Sequence, residues 1–332
     1  MVKLISLWKS VLQAIALLLF MGAGAVSQGQ TQTHARLGVL LPELGRPQSQ
    51  SLKGLTDVLK SLGYIERKNL VIETRNAKGD RGALPRAADD LVARKVDVIF
   101  TTGTRATTAA AGVSDEIPIV FVHPGDPIAA GLVKSMTELQ RNLTGVAGFA
   151  VEKTEKRLAL LKELIPALRE LHILFDSNNS FSRDNVALAQ AAAKKISLPV
   201  VEHGVKSADE LKTTLTSMRT VSGAALFHIP DDLVEGEAEF VFTTARQKKL
   251  PSMFNDESWA IQGATAAYGP SNLDMGRRAG AMIGRILKNP KNPLPPLERA
   301  DKFDFIINYR TATFIGLQVS PAVLKRADKI IR

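Results

Sequence analysis

Short apolar runs alternate with amphipathic stretches from residue 36 to residue 122, and this alternation predicts a series of strands and helices. The first run is RLGVLL at 36–41, and the second is NLVIET at 69–74. A third run, VDVIF at 96–100, leads into an alanine-rich helical segment, and IPIVFV at 117–122 follows it. Near-continuous apolar strands separated by helices indicate a parallel sheet that is covered by helices on both faces.

A second series of the same kind begins after residue 149. A helix predicted over 153–165 carries its leucines on one face at helical spacing. Four further strands are predicted after this helix. They are ELHILF, LPVVEH, GAALFHI and LPSMF, at residues 170–175, 198–203, 223–229 and 250–254. Two similar α/β lobes in tandem follow from this order of elements.

The last part of the chain predicts a return between the two lobes. A long helix predicted over 273–287 precedes the proline-rich connection at 288–296, which cannot continue the helix, and a last strand follows at 303–308. With this order, the chain passes between the lobes near residue 145, near residue 269 and again just before the last strand. Several such passages together form a hinge.

We therefore predict an α/β protein with two doubly wound parallel-sheet lobes joined by a multi-crossing hinge. Lobe 1 is predicted to comprise residues 36–146 plus 269–300. Lobe 2 is predicted to comprise residues 147–268 plus 301–332.

The first 27 residues have the layout of a secretory signal peptide. Lys3 and Lys9 precede an apolar run at 11–21, and small residues follow at 22–25. The alternative is a membrane anchor, but this run is much shorter than the ~20 residues that span a bilayer, so we expect cleavage. The chain has no cysteine, which excludes disulfides and a lipid-modified N-terminal cysteine. We expect an unlipidated protein of the periplasm.

The formal net charge of +10 does not indicate a nucleic-acid-binding protein. Basic residues lie beside acidic ones along amphipathic helices, as at 152–157, and no helix-turn-helix, zinc finger or aromatic-basic pattern occurs. Catalytic and cofactor signatures are also missing, since there is no Walker A sequence, no GxSxG elbow and no HExxH. The five histidines are isolated. We therefore expect no metal, no other cofactor and no enzymatic activity.

Candidate ligand contacts lie at the predicted strand ends, because open parallel sheets bind ligands beyond the carboxyl ends of their strands. Thr102, Gly103 and Thr104 follow the strand VDVIF. Hydroxyl groups, free amides and a helix N-terminus in this arrangement suit a carboxylate. The alternative is that Thr104 only caps its own helix.

Polar residues at other strand ends complete the predicted cleft. In the first lobe they are Glu43, His123 and Asp126, and in the second lobe they are Asp176, Asn178, Asp231, Asp232 and Glu257. Several of the aspartates are equally good helix caps. Carboxylates on one wall, facing hydroxyls and helix dipoles on the other, would complement a zwitterion. Trp259 either forms an aromatic wall of this cleft or packs in the core.

Ordered blocks along the chain resemble a known family. Among them are LVARKVDVIFTTGT, IPIVFVHPGDPIAAGLV, KRLALLKELIP and AAYGPSNLDMGRRAGAMIGRILK, at 91–104, 117–133, 156–166 and 266–288. Over nearly the whole mature chain the sequence resembles the periplasmic substrate-binding proteins of ABC transporters, specifically the tryptophan or aromatic-amino-acid type. The resemblance implies a type I periplasmic-binding-protein fold that traps a small solute between two lobes. It also implies that the blocks TTGT, GDP and 176–179 line the cleft.

We expect the solute-binding component of an ABC importer, which binds a small polar or zwitterionic, amino-acid-like solute. Its partners would be a membrane permease and the associated ATPase, and we expect the protein itself to be a monomer. An alternative is an exported ligand sensor that presents its closed form to a membrane receptor. A third hypothesis, an exported α/β hydrolase, lacks a recognisable nucleophile and base in the sequence.

Overall fold

The computed structural model describes most of the chain. It covers residues 34–42, 46–80, 82–138 and 142–332, apart from the side chains of Arg46, Pro47 and Asp232. The predicted signal peptide and the candidate contact Glu43 lie outside the described residues. Within these ranges, no helix has both the length and the apolar character needed to cross a membrane.

The first series of elements alternates strands and helices, as the apolar pattern predicts. They are β1 (Ala35–Leu41), α1 (Arg46–Ser61), β2 (Leu70–Asn76), α2 (Ala83–Ala93), β3 (Val98–Thr102), α3 (Gly103–Val113), β4 (Ile119–His123) and β5 (Leu143–Ala147). Strand β3 ends two residues later than the apolar run VDVIF. The strand continues because Thr101 is fully buried and its hydroxyl bonds to that of Thr107 at 2.8 Å.

The second series begins with a 3-10 turn at Ala150–Lys153 and continues to the C-terminus. Its elements up to residue 288 are α4 (Thr154–Leu164), β6 (Glu170–Asp176), α5 (Ser180–Lys195), β7 (Val200–Val205), α6 (Ala208–Ser217), β8 (Ala224–Phe227), α7 (Asp232–Gly236), α8 (Ala238–Gln247), β9 (Ser252–Phe254), α9 (Glu257–Gln262), β10 (Ala266–Pro270) and α10 (Asn272–Lys288). The remaining elements are β11 (Glu298–Arg299), β12 (Phe303–Asn308), α11 (Tyr309–Phe314), α12 (Pro321–Arg326) and β13 (Lys329–Ile331).

These strands form two separate sheets. The first sheet has the order β11-β5-β4-β3-β1-β2, and the second has the order β13-β12-β10-β9-β8-β6-β7. Each sheet carries a cluster of buried apolar side chains on both of its faces, as doubly wound sheets require. The predicted fold class is therefore confirmed. One detail differs, because β10 and β12 pair antiparallel within the otherwise parallel second sheet.

The chain passes between the two sheets three times, after β5, after β10 and after β11. The first and third passages contact each other. The guanidinium of Arg299 lies 3.9 Å above the ring of Phe149 and forms an ion pair with Glu152. These passages form the multi-crossing hinge, while the bounds of the two lobes remain a prediction.

Helix α10 returns from the second sheet and packs closely along α1. Its apolar face, which includes Met275, Ala279 and Ile283, is fully buried, as its spacing predicts. Gly276 and Gly280 lie one helical turn apart on the side that meets α1. A Cβ atom on Gly280 would lie only 2.7 Å from a carbonyl oxygen of α1, and one on Gly276 would overlap another. Only glycine permits this approach of the two backbones.

We predict that Gly276→Ala destabilises the protein by about 1 to 3 kcal/mol, because the new methyl group collides with the backbone of Ser51. Gly112→Ala is the matched control, since Gly112 is exposed on α3 with no neighbouring atom within 4 Å. That control should gain about 0.5 to 1 kcal/mol from alanine's better helix propensity. Urea unfolding of both variants measures the difference, and equal stabilities would contradict the close packing.

Candidate functional site

The carboxyl end of β3 and the start of α3 form one wall of the candidate site. Thr102 keeps an extended backbone, with φ −124° and ψ 127°, and the chain turns sharply at the next residue. Gly103 has φ +72°, a left-handed backbone conformation that costs free energy for residues other than glycine. The turn directs the first free amides of α3 beyond the edge of the sheet, where an anion is favoured.

The hydroxyl of Thr102 is buried and has no hydrogen-bond partner among the described residues. Thr102 occupies the N-cap position of α3, but its side chain makes no capping bond. A buried hydroxyl without a partner costs about 1 to 3 kcal/mol. Thr102 therefore carries a donor for which no described residue supplies an acceptor.

Thr104 does not cap α3 either, because its hydroxyl bonds to the Nε2 atom of His123 at 3.0 Å. The other ring nitrogen, Nδ1, accepts the backbone N–H of Gly125 at 3.0 Å. Burial lowers the pKa of His123, which favours the neutral ring. A neutral ring that accepts at Nδ1 carries its proton on Nε2. His123 therefore donates to the oxygen of Thr104, and the hydroxyl proton of Thr104 is left to donate elsewhere.

Asp126 closes the loop after β4. Its Oδ1 atom accepts the backbone N–H groups of Ile128 at 2.8 Å and Ala129 at 3.3 Å. These are the bonds of a cap, which was the predicted alternative to a ligand contact, but they close turns at 127–131 instead of a helix. The bonds leave Asp126 as a residue that shapes the loop beside His123.

The second wall of the candidate site lies at the carboxyl ends of β6 and β8. Asp176 accepts the backbone N–H of Asn178 at 2.8 Å, which closes a tight turn, and the side chain of Asn178 is exposed. The backbone N–H of Asp176 donates to Asp231 at 2.7 Å. Asp176 is half-buried at this edge, whereas Asp231 and Glu257 are buried.

Asp231 is committed to the protein rather than open to a solute. One carboxylate oxygen accepts the N–H groups of Leu233 and Val234 and so caps α7. The other oxygen accepts the hydroxyl of Ser182 at 2.6 Å and the N–H of Asp176 at 2.7 Å. The prediction that Asp231 contacts the solute therefore gives way to a structural role, because all four bonds are internal. The side chain of Asp232 lies outside the described residues.

Glu257 also has a structural role in place of the predicted ligand contact. It is buried at the start of α9 and pairs with Lys329 of β13 at 2.8 Å. Lys329 pairs at the same time with Asp304 at 3.0 Å. Trp259, on the same helix, packs beside Phe254 and Phe242 with ring centroids 6.1 and 6.3 Å away. It belongs to the core cluster, which was the second of its two predicted roles.

Arg157 is a residue of this wall that the sequence analysis missed. It lies in the first turn of α4, with only 1% of its surface exposed. Its Nη2 atom donates to the carbonyl of His228 at 2.7 Å, and its guanidinium lies 4.2 Å above the ring of Phe227. Both contacts are at the carboxyl end of β8. The available signal was spacing, since Arg157 precedes Leu161 and Leu164 by four and seven residues on the apolar face of the helix.

Two of the three guanidinium nitrogens of Arg157 have no partner among the described residues. Its Nε and Nη1 atoms are buried without a hydrogen bond, and among the described residues no acid forms an ion pair with it. Burial lowers the pKa of Arg157 to about 9, so the side chain is still charged at neutral pH. The described residues also contain no group of acids and histidines that could hold a metal ion.

A cavity of about 580 Å³ lies at the opposite edge of the second sheet and is not part of the candidate site. It is lined by residues that include Arg246, Asn308 and Phe314. Asn308 ends β12, which runs antiparallel to β10, so this cavity is beside the start of β10. None of the buried unpaired groups lines it.

Comparison with known proteins gives a consistent result. A sequence model of the family described as ABC transporter substrate binding protein matches residues 45–331. A tyrosine-binding protein of Clostridioides difficile (strain R20291) is 27% identical over 267 residues, which cover 80% of this chain and 76% of that protein.

Solved structures show the same architecture. The ABC domain in complex with L-Trp from Streptococcus pneumonia is 26% identical, with a TM-score of 0.72, and the match covers 90% of this chain and all 100% of that one. A ligand-free, open substrate-binding protein with adhesive properties from Clostridium difficile is 23% identical, with a TM-score of 0.68 and coverage of 90% and 99%. The second comparison supports the fold alone.

We predict that the protein loses stability as pH falls below the ordinary histidine pKa of 6.5. Burial lowers the pKa values of His123, His203 and His228, and that of His228 lies well below 6.5. The unfolded chain therefore takes up protons that the folded chain excludes. Each such histidine lowers the free energy of unfolding by about 1.4 kcal/mol per pH unit until its own folded pKa is reached.

Urea unfolding between about pH 7 and about pH 5.5 measures this slope, above the range in which most carboxylates titrate. His228→Gln should reduce the pH dependence of the free energy of unfolding by the contribution of one histidine. This reduction is expected whatever the variant's stability at neutral pH. A slope that is the same in the variant and in the unchanged protein would show that His228 is protonated equally in both states.

Proposed function

This chain belongs to the ABC transporter substrate binding protein family, and we propose that it binds an amino acid between its two sheets and delivers it to a membrane permease. Proteins of this family bind small-molecule solutes and work with an ABC permease, and they form a non-enzymatic class that is typically extracytoplasmic. We further propose that residues 1–27 direct export to the periplasm. The protein acts there as a monomer, and the ATPase that drives import is its second partner.

The unpaired hydroxyl of Thr102 is the observation that carries this proposal. It lies at the carboxyl end of a parallel strand, beside the free amides of α3 and the hydroxyl of Thr104. All of these groups donate hydrogen bonds, and the helix dipole adds partial positive charge. A solute that binds here presents an acceptor, and the carboxylate of an amino acid fits that requirement.

Two relatives support an amino acid as the solute. One is named a tyrosine-binding protein, and the other was solved in complex with L-Trp. Tyrosine and tryptophan share a carboxylate, an amine and an aromatic side chain. We propose that the carboxylate meets Thr102 and Thr104 and that the amine meets Asp176, which is more accessible than Asp231 and Glu257. We propose Asp176 instead of Asp231 because Asp231 already accepts four internal hydrogen bonds.

Closure follows from a solute that contacts both walls. With the cleft open, each wall's polar groups are hydrated, and a solute gains contacts to only one wall at a time. A solute bound to both walls favours the closed state, because its affinity for that state is higher. The three passages of the chain between the sheets supply the hinge.

We predict that L-tyrosine, L-tryptophan or a related amino acid binds the purified protein and that Thr102→Val weakens binding about tenfold or more, because a donor to a charged carboxylate is lost. The same change should leave the free protein equally or more stable, since it removes a buried hydroxyl that has no partner. Titration calorimetry and thermal unfolding measure the two effects.

Thr108→Val is the matched control, because Thr108 is exposed on the same helix. It should change neither affinity nor stability by more than a small amount. Equal affinity of the Thr102→Val protein and the unchanged protein would exclude this wall as the binding site. Failure of every amino acid to bind would exclude the proposed solute class.

A further inference from the structure

We propose that Arg157 binds the anionic group of the solute and that the protein therefore selects solutes with a carboxylate over their uncharged analogues. This inference rests on the proposed function and deepens it. It assigns a binding role to a side chain that lies beneath the second wall, in the first turn of α4. The carboxylate of the solute is then recognised by the positive charge of Arg157 as well as by hydroxyl donors.

The first step of the argument is the missing counter-ion. Arg157 is almost completely buried, makes one hydrogen bond to a backbone carbonyl and leaves its Nε and Nη1 atoms without partners. A buried charge without a partner costs several kcal/mol. The ring of Phe227 beneath the guanidinium offsets only part of that cost.

The second step is a comparison within the same sheet. Lys329 is less buried than Arg157, yet it is held by two acids, Glu257 and Asp304, at 2.8 and 3.0 Å. The second sheet thus provides counter-ions for a structural cation. At Arg157 no such acid is present among the described residues. A cation that is kept charged and unpaired at a strand end is better explained by an anion that arrives with the solute.

The third step is position. Side chains of a helix point back toward its N-terminus, so Arg157 points toward the edge at which α4 begins. Its contacts, Phe227 and the carbonyl of His228, lie at the carboxyl end of β8. That edge holds the second wall of the candidate site. The free donors are shielded from solvent in this conformation, so a solute reaches them when the flexible stem of Arg157 turns toward the cleft.

The fourth step joins the two walls. The hydroxyls of Thr102 and Thr104 donate to an acceptor but carry no charge. A carboxylate held by these hydroxyls on one wall gains a charged partner from Arg157 on the other wall. The hydroxyl bonds have only one ionised partner, whereas the bond from Arg157 joins two opposite charges, so the contact formed on closure adds an ion pair.

The test compares acids with their amides. Each amino acid that binds the unchanged protein is titrated beside its carboxamide, for example L-tyrosine beside L-tyrosinamide. We expect the acid to bind about tenfold more tightly or better. Arg157→Gln should lower the ratio several-fold, to the smaller preference that the helix N-terminus of the first wall still provides. Lys156→Gln is the matched control, because it removes one positive charge from the adjacent, exposed position of the same helix, and it should keep the ratio.

The stability of the free protein distinguishes a binding role of Arg157 from a purely structural one. If Arg157 were only structural, its replacement would destabilise the protein. Arg157→Met replaces an unpaired buried charge by an apolar side chain of similar length, so the free protein should be at least as stable as before. A lowered midpoint of thermal unfolding, together with an unchanged ratio of acid to amide affinity, would overturn the inference. An acid and amide that bind the unchanged protein equally would also overturn it, while the proposed function would stand.

If no amino acid binds, the proposed function fails and a second arm decides the inference. Sodium acetate is then compared with sodium chloride at equal ionic strength by thermal unfolding. Stabilisation by acetate in the unchanged protein and its loss in Arg157→Gln would support an anion site at Arg157. An equal response of both proteins to the two salts would overturn it.

Discussion

Parallel pairing is the constraint on which the rest of this structure depends. It brings the carboxyl ends of neighbouring strands to one edge of a sheet, together with the N-termini of the helices that follow. Thr102 at the end of β3 and Asp176 at the end of β6 lie at such edges because the pairing puts them there. The two sheets are joined by three passages of one chain, so each wall is attached to the other through a hinge.

Burial of polar groups then separates structural residues from candidate binding residues. Asp231 accepts four hydrogen bonds from its own chain, and Glu257 has a cationic partner, so folding alone explains both. Thr102 and Arg157 are buried without that compensation. Unpaired buried groups are rare in folded proteins because each costs free energy, and a bound water, ion or solute is one explanation for such a group. An acidic residue at a strand end is therefore a weaker indication of the binding site than a buried hydrogen-bond donor that has no acceptor.

The sequence predicted the fold class, the buried face of α10 and most of the order of elements, because apolar spacing reports burial directly, but it did not predict β5 and β10 as strands. It did not predict the antiparallel pairing of β10 with β12, nor the two- and three-residue strands β11 and β13, which have too few residues for a pattern. At the candidate site, the sequence named Thr102 as a candidate contact but could not separate candidate contacts from helix caps among the aspartates. Asp231 bonds to Ser182, 49 residues away, and only folding brings that donor close.

Thr104 and His123 are the types of side chain that serve as nucleophile and general base in hydrolases. The direction of their hydrogen bond, however, favours a binding role over catalysis. A general base must accept the hydroxyl proton, but the N–H of Gly125 already occupies Nδ1, so Nε2 carries the ring's proton and donates. Burial holds the ring neutral and thereby keeps this direction. The bond leaves the hydroxyl proton of Thr104 available to an acceptor other than the histidine. With the histidine proton on Nδ1, this pair of side chains would suggest a hydrolase. With the proton on Nε2, the pair leaves Thr104 as a hydrogen-bond donor beside Thr102.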